Sequence, residues 1–362
     1  MNIVYGVCSW GLGHATRSLP VIRKLIKENN KLTIISNGRT LELLKKELGD
    51  DLDYYDIPDY PMLLSENSRQ FMAKSFVYWP MFIKRMESGL QKLKKILEKI
   101  KCDKIISDGR YDTYSRKIPS FLISHQIRIM NPLRIEMFER GSEIFNLFFF
   151  KRFVGVIVPD YKEDDLSGDL SHNLHRIDEN NLHYVGVLSD FKKKKTNKNI
   201  DYLISLSGPE PQRTLLENKL LSQIDNLSGK IVVTLGKTEK QDKFNKKNIQ
   251  TFSFLNKNER IDFLNRTKIV VSRSGYSTIM DLAVIGTKAL MVPTPGQIEQ
   301  EYLGQYHNKK GTFYSVSQYD IDLKKDIESA KKTTGIKRKC DVNKAVENIL
   351  NVITSVEKSP FV

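Results

Sequence analysis

Residues 269–302, IVVSRSGYSTIMDLAVIGTKALMVPTPGQIEQEY, narrow the choice of fold more than any other stretch. An apolar, β-branched run at 269–271 breaks at Ser272-Arg273-Ser274-Gly275. A helical pattern then begins, with Ile279, Leu282, Ala283 and Ile285 on one face. A second strand over 289–292 is stopped by Pro293-Thr294-Pro295-Gly296, just before a polar helix opening Gln297-Ile298-Glu299-Gln300-Glu301. Strand, turn, helix, repeated at once, calls for an open parallel sheet. Both turns then lie at the carboxyl ends of their strands, where such sheets bind ligands.

The residue types at those turns suit an anionic, hydroxyl-rich ligand. The first turn of the helix after Ser274-Gly275 offers backbone N–H groups and the hydroxyls of Ser274, Ser277 and Thr278, a ready phosphate site. Asp281 can accept hydrogen bonds from a ribose diol, and Gln297, Gln300 and Glu301 can pair with sugar hydroxyls. The plainer alternative is a turn glycine followed by a solvated helix.

The 362 residues exceed one typical domain, and 40% hydrophobic content is ample for two cores. The chain opens on a strand pattern, MNIVYGVC, and no apolar run approaches membrane-spanning length, so neither a leader nor a spanning helix is expected. Cys8, Cys102 and Cys340 form no metal or disulfide pattern, which suits a reducing cytoplasm. The formal charge of +15 invites anionic partners, yet no nucleic-acid motif accompanies it, so nucleic acid is not expected. A solvated lysine-rich surface is the simpler account.

Along the chain, a strand at 3–8 runs into Gly11-Leu12-Gly13-His14 and a helix with Leu19, Ile22, Leu25 and Ile26 inward and Pro20 in its first turn. The second strand ends in Ser36-Asn37 without a ribose-binding acid, so no dinucleotide cofactor is expected. His14 is either a proton acceptor or a capping histidine. A helix is expected over about 69–101, its Phe71, Phe76, Tyr78, Trp79 and Phe82 in the core. Polar strand ends follow at Asp108-Gly109-Arg110 and His125-Gln126. The aromatic run 144–153 is expected in the core. Exposed, its two cations would suit an anionic membrane surface. The first half closes near residue 189, and 190–199 reads as a lysine-rich linker. After it the pattern restarts with a strand at 202–206 and the loop Ser207-Gly208-Pro209-Glu210-Pro211-Gln212-Arg213. That loop is a second phosphate-type turn, with Arg213 to neutralise charge. The spellings Asp51-Leu52-Asp53 and Asp320-Ile321-Asp322 do not follow β-branched strands, so neither reads as a metal site.

Two glycine-turn halves, together with the S-R-S-G and P-T-P-G-Q-I-E-Q-E-Y segments, resemble the GT-B-fold glycosyltransferases, in particular the peptidoglycan lipid-intermediate N-acetylglucosaminyltransferase family. The resemblance implies an α/β architecture of two Rossmann-like domains facing a central cleft: 1–189 on the acceptor side, linker 190–199, donor domain 200–340, and a terminal helix in 341–362 that packs back on the first domain. It implies inverting, metal-independent transfer from a nucleoside-diphosphate sugar, uridine-linked by expectation, to a glycan or lipid-linked acceptor, with no cofactor. His14 would act as base, Gly11, Gly13, Asp108 and His125 would line the acceptor side, and Ser207, Gly208, Arg213, Ser274 and Gly275 would hold the diphosphate. Asp281 stands where the family has a ribose-binding glutamate, and Gln300-Glu301 where it has Gln-Gln. A hydrolase or epimerase on the same scaffold is the near alternative, and a non-catalytic anion-binding protein the distant one.

Overall fold

The computed structural model describes residues 1–60, 68–131, 133–237 and 243–357, the side chains of 68–79 and 244 excepted. The expected core positions Phe71, Phe76, Tyr78 and Trp79 therefore lie outside the described side chains. The chain divides into two compact units, Met1–Asp190 with Asp341–Val362, and Phe191–Cys340.

The first unit is built on a seven-stranded parallel sheet. Its strands are β1 (Asn2–Val7), β2 (Lys31–Ser36), β3 (Asp53–Asp56), β4 (Lys104–Asp108), β5 (Ser120–Ile123), β6 (Gly155–Val158) and β7 (Leu182–Tyr184), in the order β3-β2-β1-β4-β5-β6-β7. Strand residues alternate between two covered faces, so both sets are apolar. Ile3, Tyr5, Val7, Ile106, Phe121 and Ile123 join one core with helix α1 (Leu12–Lys27), whereas Val4, Ile35 and Ile105 join another with Leu93 and Ile96. Helices α2 (Gly38–Leu48), α3 (Ser68–Leu97) and α4 (Glu136–Phe150) complete the layers before the chain crosses to the second unit.

That unit repeats the plan with β8 (Ile200–Ser205), α5 (Gln212–Leu221), β9 (Ile231–Thr234), β10 (Lys243–Lys246), β11 (Ile249–Phe252), α6 (Lys257–Arg266), β12 (Thr267–Ser272), α7 (Tyr276–Ile285), β13 (Lys288–Met291), α8 (Ile298–Lys309), β14 (Tyr314–Ser315) and α9 (Leu323–Lys332). The strand order is β10-β11-β9-β8-β12-β13-β14, and only the β10–β11 pair is antiparallel. The lysine-rich stretch after residue 190 has little regular structure but is fastened to this unit. Asn265 accepts from Lys194 N (2.6 Å) and donates to Lys192 O (3.0 Å), and Lys198 donates to Thr267 O (2.7 Å).

The last helix, α10 (Val342–Ser355), returns to the first unit. Its Ala345, Val346, Ile349, Leu350 and Ile353, an i, i+4, i+8 stripe with neighbours, enter the same core as α1. Pro20 corrects one expectation. The helical stripe begins with Ala15, Leu19 and Ile22, so α1 starts at Leu12 and Pro20 sits in its interior, where the ring removes one helix hydrogen bond. Strands β3 and β10 were not expected, because DYYD and KFNK are short and polar and lie at sheet edges.

Ile349 is fully buried, so Ile349→Ala is expected to destabilise the first unit by about 2–5 kcal/mol. Urea denaturation of the full chain reads this as an earlier transition, and an unchanged midpoint would mean that α10 contributes no packing.

Candidate functional site

In the first unit the carboxyl end of β4 meets the start of α1. Asp108, fully buried, receives the Arg17 Nε on Oδ2 at 2.9 Å and the Ser18 hydroxyl on Oδ2 at 2.8 Å, while Arg17 Nη2 closes on Oδ1. The same Oδ1 lies 2.8 Å from His14 Nδ1. Arg17 Nη2 also lies 3.0 Å from Nδ1, but the shorter contact is to a buried carboxylate that can only accept, which favours a proton on Nδ1 and leaves Nε2 as the base. His14 is 22% exposed, and its Nε2 has no partner among the described residues. Gly109, at φ +72°, permits this seat: a Cβ there would stand 2.8 Å from His14 Cε1. Arg17 Nη1 also reaches Nδ1 of the nearly buried His125, at 3.0 Å. His14, Asp108 and His125 are thus brought together, and the residue that joins them is Arg17. Its only trace in the sequence is its place one helical turn after His14, which aligns the two on one face of α1.

Gly11 and Gly13 flank this point. Gly11 precedes α1, and open space surrounds the position of its missing Cβ. The preceding loop is braced from below: Ser9 donates N and Oγ to Asp59 Oδ2, the latter at 2.8 Å, and Trp10 donates to Tyr60 O at 2.7 Å.

Burial alone would raise the Asp108 carboxyl, but Arg17, and then His14, outweigh it and hold the group well below the usual carboxylate range. A depressed folded-state value stabilises the fold above the unfolded value of about 3.9, and that stabilisation is lost as the pH falls toward the folded value.

In the second unit the loops after β8, β12 and β13 converge on Arg273. This buried guanidinium donates to Ser207 O (3.3 Å), Val292 O (3.1 Å), Pro293 O (3.1 Å) and Gln212 O (2.9 Å), and no carboxylate pairs with it among the described residues. Burial lowers its ionisation to about 10. Gly208, exposed at φ +111°, lies beside Arg273 and Thr294. Ser274 donates its hydroxyl to Gln300 O at 2.7 Å, and Gly275 opens α7 with no side-chain cap. On α7 the accessible residues are Ser277, Thr278 and Asp281, a stripe at i, i+1, i+4, while the other seven are buried.

Three of the expected donor-side residues are engaged within the protein itself. Arg213 was expected to neutralise a bound phosphate, but Glu210, Glu217 (2.7 Å) and Leu235 O (3.0 Å) already occupy its guanidinium, so its charge is compensated within α5 and its approach. Gln300 and Glu301 were expected to face a sugar, but they turn back on their own loop. Gln300 Oε1 accepts from Thr294 N and Glu301 Oε1 from Gly296 N, each at 2.9 Å, and Gln297 accepts from Gln300. They shape the loop after β13. Thr294 Oγ1, buried and unpartnered among the described residues, is the polar atom there that sequence reading missed.

Asp160, Asp165 and His172 have metal-ligand spacing. The Asp160 carboxylate, however, already accepts from Tyr161, Leu166 and Ser167 N, and His172 is bonded to Tyr161 O, so the cluster staples a loop.

Comparison with known proteins fits this geometry. Residues 209–347 match the glycosyltransferase family 28 C-terminal domain, and residues 1–131 match glycosyl transferase family 1. The chain is a glycosyltransferase of the GT-B fold. An uncharacterized glycosyltransferase of Methanosarcina mazei is 23% identical to it over 322 residues, 83% of this chain and 82% of the relative. Among solved structures, MurG of Acinetobacter baumannii has a TM-score of 0.59 at 13% identity, covering 98% of this chain and 99% of its own. A UDP-GlcNAc 2-epimerase from Neisseria meningitidis has a TM-score of 0.61 at 13% identity, covering 98% and 100%. The glycosyltransferase thus resembles the peptidoglycan N-acetylglucosaminyltransferase family in fold, and no helix among its described residues is long and apolar enough to cross a membrane.

Asp108→Asn leaves the Arg17 cation buried without its counter-charge. It is expected to cost about 3–5 kcal/mol at neutral pH. Denaturation of parent and variant from pH 7 downward should show this gap narrowing below about pH 4, where the parent loses its own Asp108 contribution. A gap constant with pH would contradict the assignment.

Proposed function

We propose that the glycosyltransferase moves a hexose from a uridine-diphosphate sugar to an acceptor hydroxyl on a glycan or lipid-linked molecule, with inversion at the anomeric carbon and without a metal or other cofactor. The observation that carries this reading is the His14–Asp108 pair, an accessible imidazole whose Nε2 is left available by a buried carboxylate on Nδ1. In the step proposed, the acceptor hydroxyl gives its proton to His14 Nε2 while its oxygen bonds to the anomeric carbon. The bond from that carbon to the diphosphate oxygen breaks, and its electron pair leaves with the nucleoside diphosphate. Asp108 stabilises the imidazolium that forms, and Arg17 holds Asp108 in place.

The departing diphosphate gains negative charge. On the donor side, support comes from the uncapped start of α7 at Ser274-Gly275 and the exposed Ser207-Gly208 turn, with Arg273 beneath. Asp281, on the accessible stripe of α7, is the proposed ribose acceptor. The epimerase shares the fold, so chemistry must separate the two readings.

Incubation with a panel of nucleoside-diphosphate sugars should give nucleoside diphosphate release that rises when polyprenyl-linked acceptors are added. In His14→Ala that release is expected to drop about 10²–10⁴-fold with the fold intact. Release indifferent to every acceptor would mean hydrolysis, and interconversion of the donor without release would mean epimerisation.

Saturating uridine diphosphate, at about a hundred times its Kd, is expected to stabilise the protein by about 2.7 kcal/mol. Asp281→Ala should shrink this shift in a thermal melt. An equal shift in parent and variant would remove Asp281 from the donor site.

A further inference from the structure

Residues 57–60, just after β3, cross the carboxyl ends of the strands beside it, β2, β1 and β4. Ile57 N donates to Ser36 O (2.9 Å) at the end of β2. After β1, Asp59 Oδ2 accepts Ser9 N and the Ser9 hydroxyl (2.8 Å), and Tyr60 O accepts Trp10 Nε1 (2.7 Å). After β4, the Tyr60 hydroxyl donates to Gly109 O (2.8 Å), and Arg110 Nη1 returns a bond to Ile57 O (2.9 Å). This strap therefore joins the loop that opens α1 to the turn against which His14 is seated.

The strap is buried although it is polar. Ile57 and Tyr60 are buried, as is the Asp59 side chain, whose Oδ1 has no hydrogen bond among the described residues and faces Arg110 Nη1 at 3.3 Å. Arg110 is itself held by both oxygens of Asp112 (2.9 and 2.8 Å), and Gly89 lets α3 close on that carboxylate, because no Cβ would fit against it. A buried carboxylate with an unmet oxygen costs stability, and an apolar residue of similar volume would hold a fold as well or better. What the carboxylate adds is direction: both Ser9 bonds converge on one oxygen. Burial pushes the Tyr60 phenol well above its ordinary range, so the hydroxyl stays a donor. It also accepts from Tyr111 N at 3.4 Å, which pins the turn 109–111 at both ends. The Tyr60 ring packs with Phe82 (4.5 Å) and Tyr111 (6.2 Å), and Phe149 joins the same cluster. The aromatic run expected in the core therefore divides: Phe149, Phe150 and Phe153 are buried, and Phe148 is not.

We propose, on the reading of His14 as the base, that Asp59 and Tyr60 are positioning residues for the reaction, setting where the imidazole and the glycine loop stand relative to each other. Tyr60 acts through Gly109: the Gly109 carbonyl takes the Tyr60 hydroxyl, and the missing side chain of Gly109 leaves just enough room for the His14 ring. Asp59 acts through Ser9 on Gly11, which is exposed and has open space around it for an incoming acceptor. Both side chains are buried, so neither meets the acceptor itself. A reacting group about 1 Å out of place loses about 10²-fold in rate, so a seat fixed from two loops at once bears directly on turnover. Asp108 sets the tautomer of the ring, and the strap sets its location.

The test pairs turnover, read as nucleoside diphosphate release with a polyprenyl-linked acceptor, with the magnetic resonance of His14 itself. The full chain carries isotope-labelled histidine, and the His14 line is the one lost in His14→Ala. Tyr60→Phe deletes one hydroxyl and keeps the ring contacts. It is expected to lower kcat by about tenfold or more with the donor KM unchanged. It should also move the His14 line while those of His172 and His307, which are bonded elsewhere, stay in place. Asp59→Asn, in which Asp112 still pairs with Arg110, should raise the acceptor KM and leave the donor KM alone. Turnover in both variants within about twofold of the parent's, or a His14 line unmoved in Tyr60→Phe, would overturn the proposal. Movement of all the histidine lines together would do the same, since it marks a general loosening. Undiminished turnover in His14→Ala would remove the base reading and the proposal with it, whereas turnover that needs His14 and ignores Tyr60 sinks the proposal alone.

Discussion

A buried guanidinium must place all its N–H donors, and the loops that accept them lose their freedom. In this chain Arg17, Arg110, Arg128 and Arg273 are all buried at or against the carboxyl ends of strands, where the chain has to be irregular and yet rigid. Arg17 ties α1 to the end of β4, and Arg110 joins Asp59, Asp112 and Ile57 O. Arg128 reaches Glu143 and Asn173, and Arg273 gathers three loops of the second unit. The first three are paired with carboxylates. Arg273 has backbone carbonyls alone, which leaves a net positive charge beside the turns that carry Gly208 and Ser274.

This division of labour matches the chemistry proposed for the two units. Activating a hydroxyl calls for a base in a fixed tautomer, and a charge-compensated Asp108 supplies the orientation without leaving a free anion near the acceptor. Holding a diphosphate calls for positive potential that costs no reorganisation when charge develops, which fixed backbone dipoles and a pinned guanidinium provide. On the outer side of the first unit, α4 serves two ends with one helix: its acids lock loops inward, and its apolar residues are left for the exterior.

The fold was legible wherever burial imposed a period. The runs that became β1, β4, β6, β9, β12 and β13 are apolar on both faces, and helices α1, α7 and α10 carry continuous stripes. Elements at the margin escaped: β3 and β10 are polar edge strands, and the capped helix α6 is too hydrophilic to announce a face. The site was half legible. Glycine next to His14 after a strand marked a ligand-approach turn, and Asp108 and His125 showed as polar strand ends, but nothing local indicated that Arg17 would join them. The glutamate partners of Arg213 were not legible, because an arginine beside a glycine turn reads the same whether it meets a phosphate or the carboxylates of its own helix and approach.

From sequence alone, two parallel-sheet halves, their order and the turns able to carry function followed from periodicity and turn chemistry, which are local properties of the chain. Tertiary structure decided which side chains meet. His14 and Arg17 on α1, Asp108 on β4 and His125 after β5 come from three separate parts of the chain, and the registers of β4 beside β1 and of β5 beside β4 put them within hydrogen-bond reach. It also decided the sense of α4, since a stripe of glutamates and a stripe of phenylalanines are each compatible with either side of a helix. Buried partners, Arg128 for Glu143 and Tyr111 for Asn146, turned these polar side chains inward.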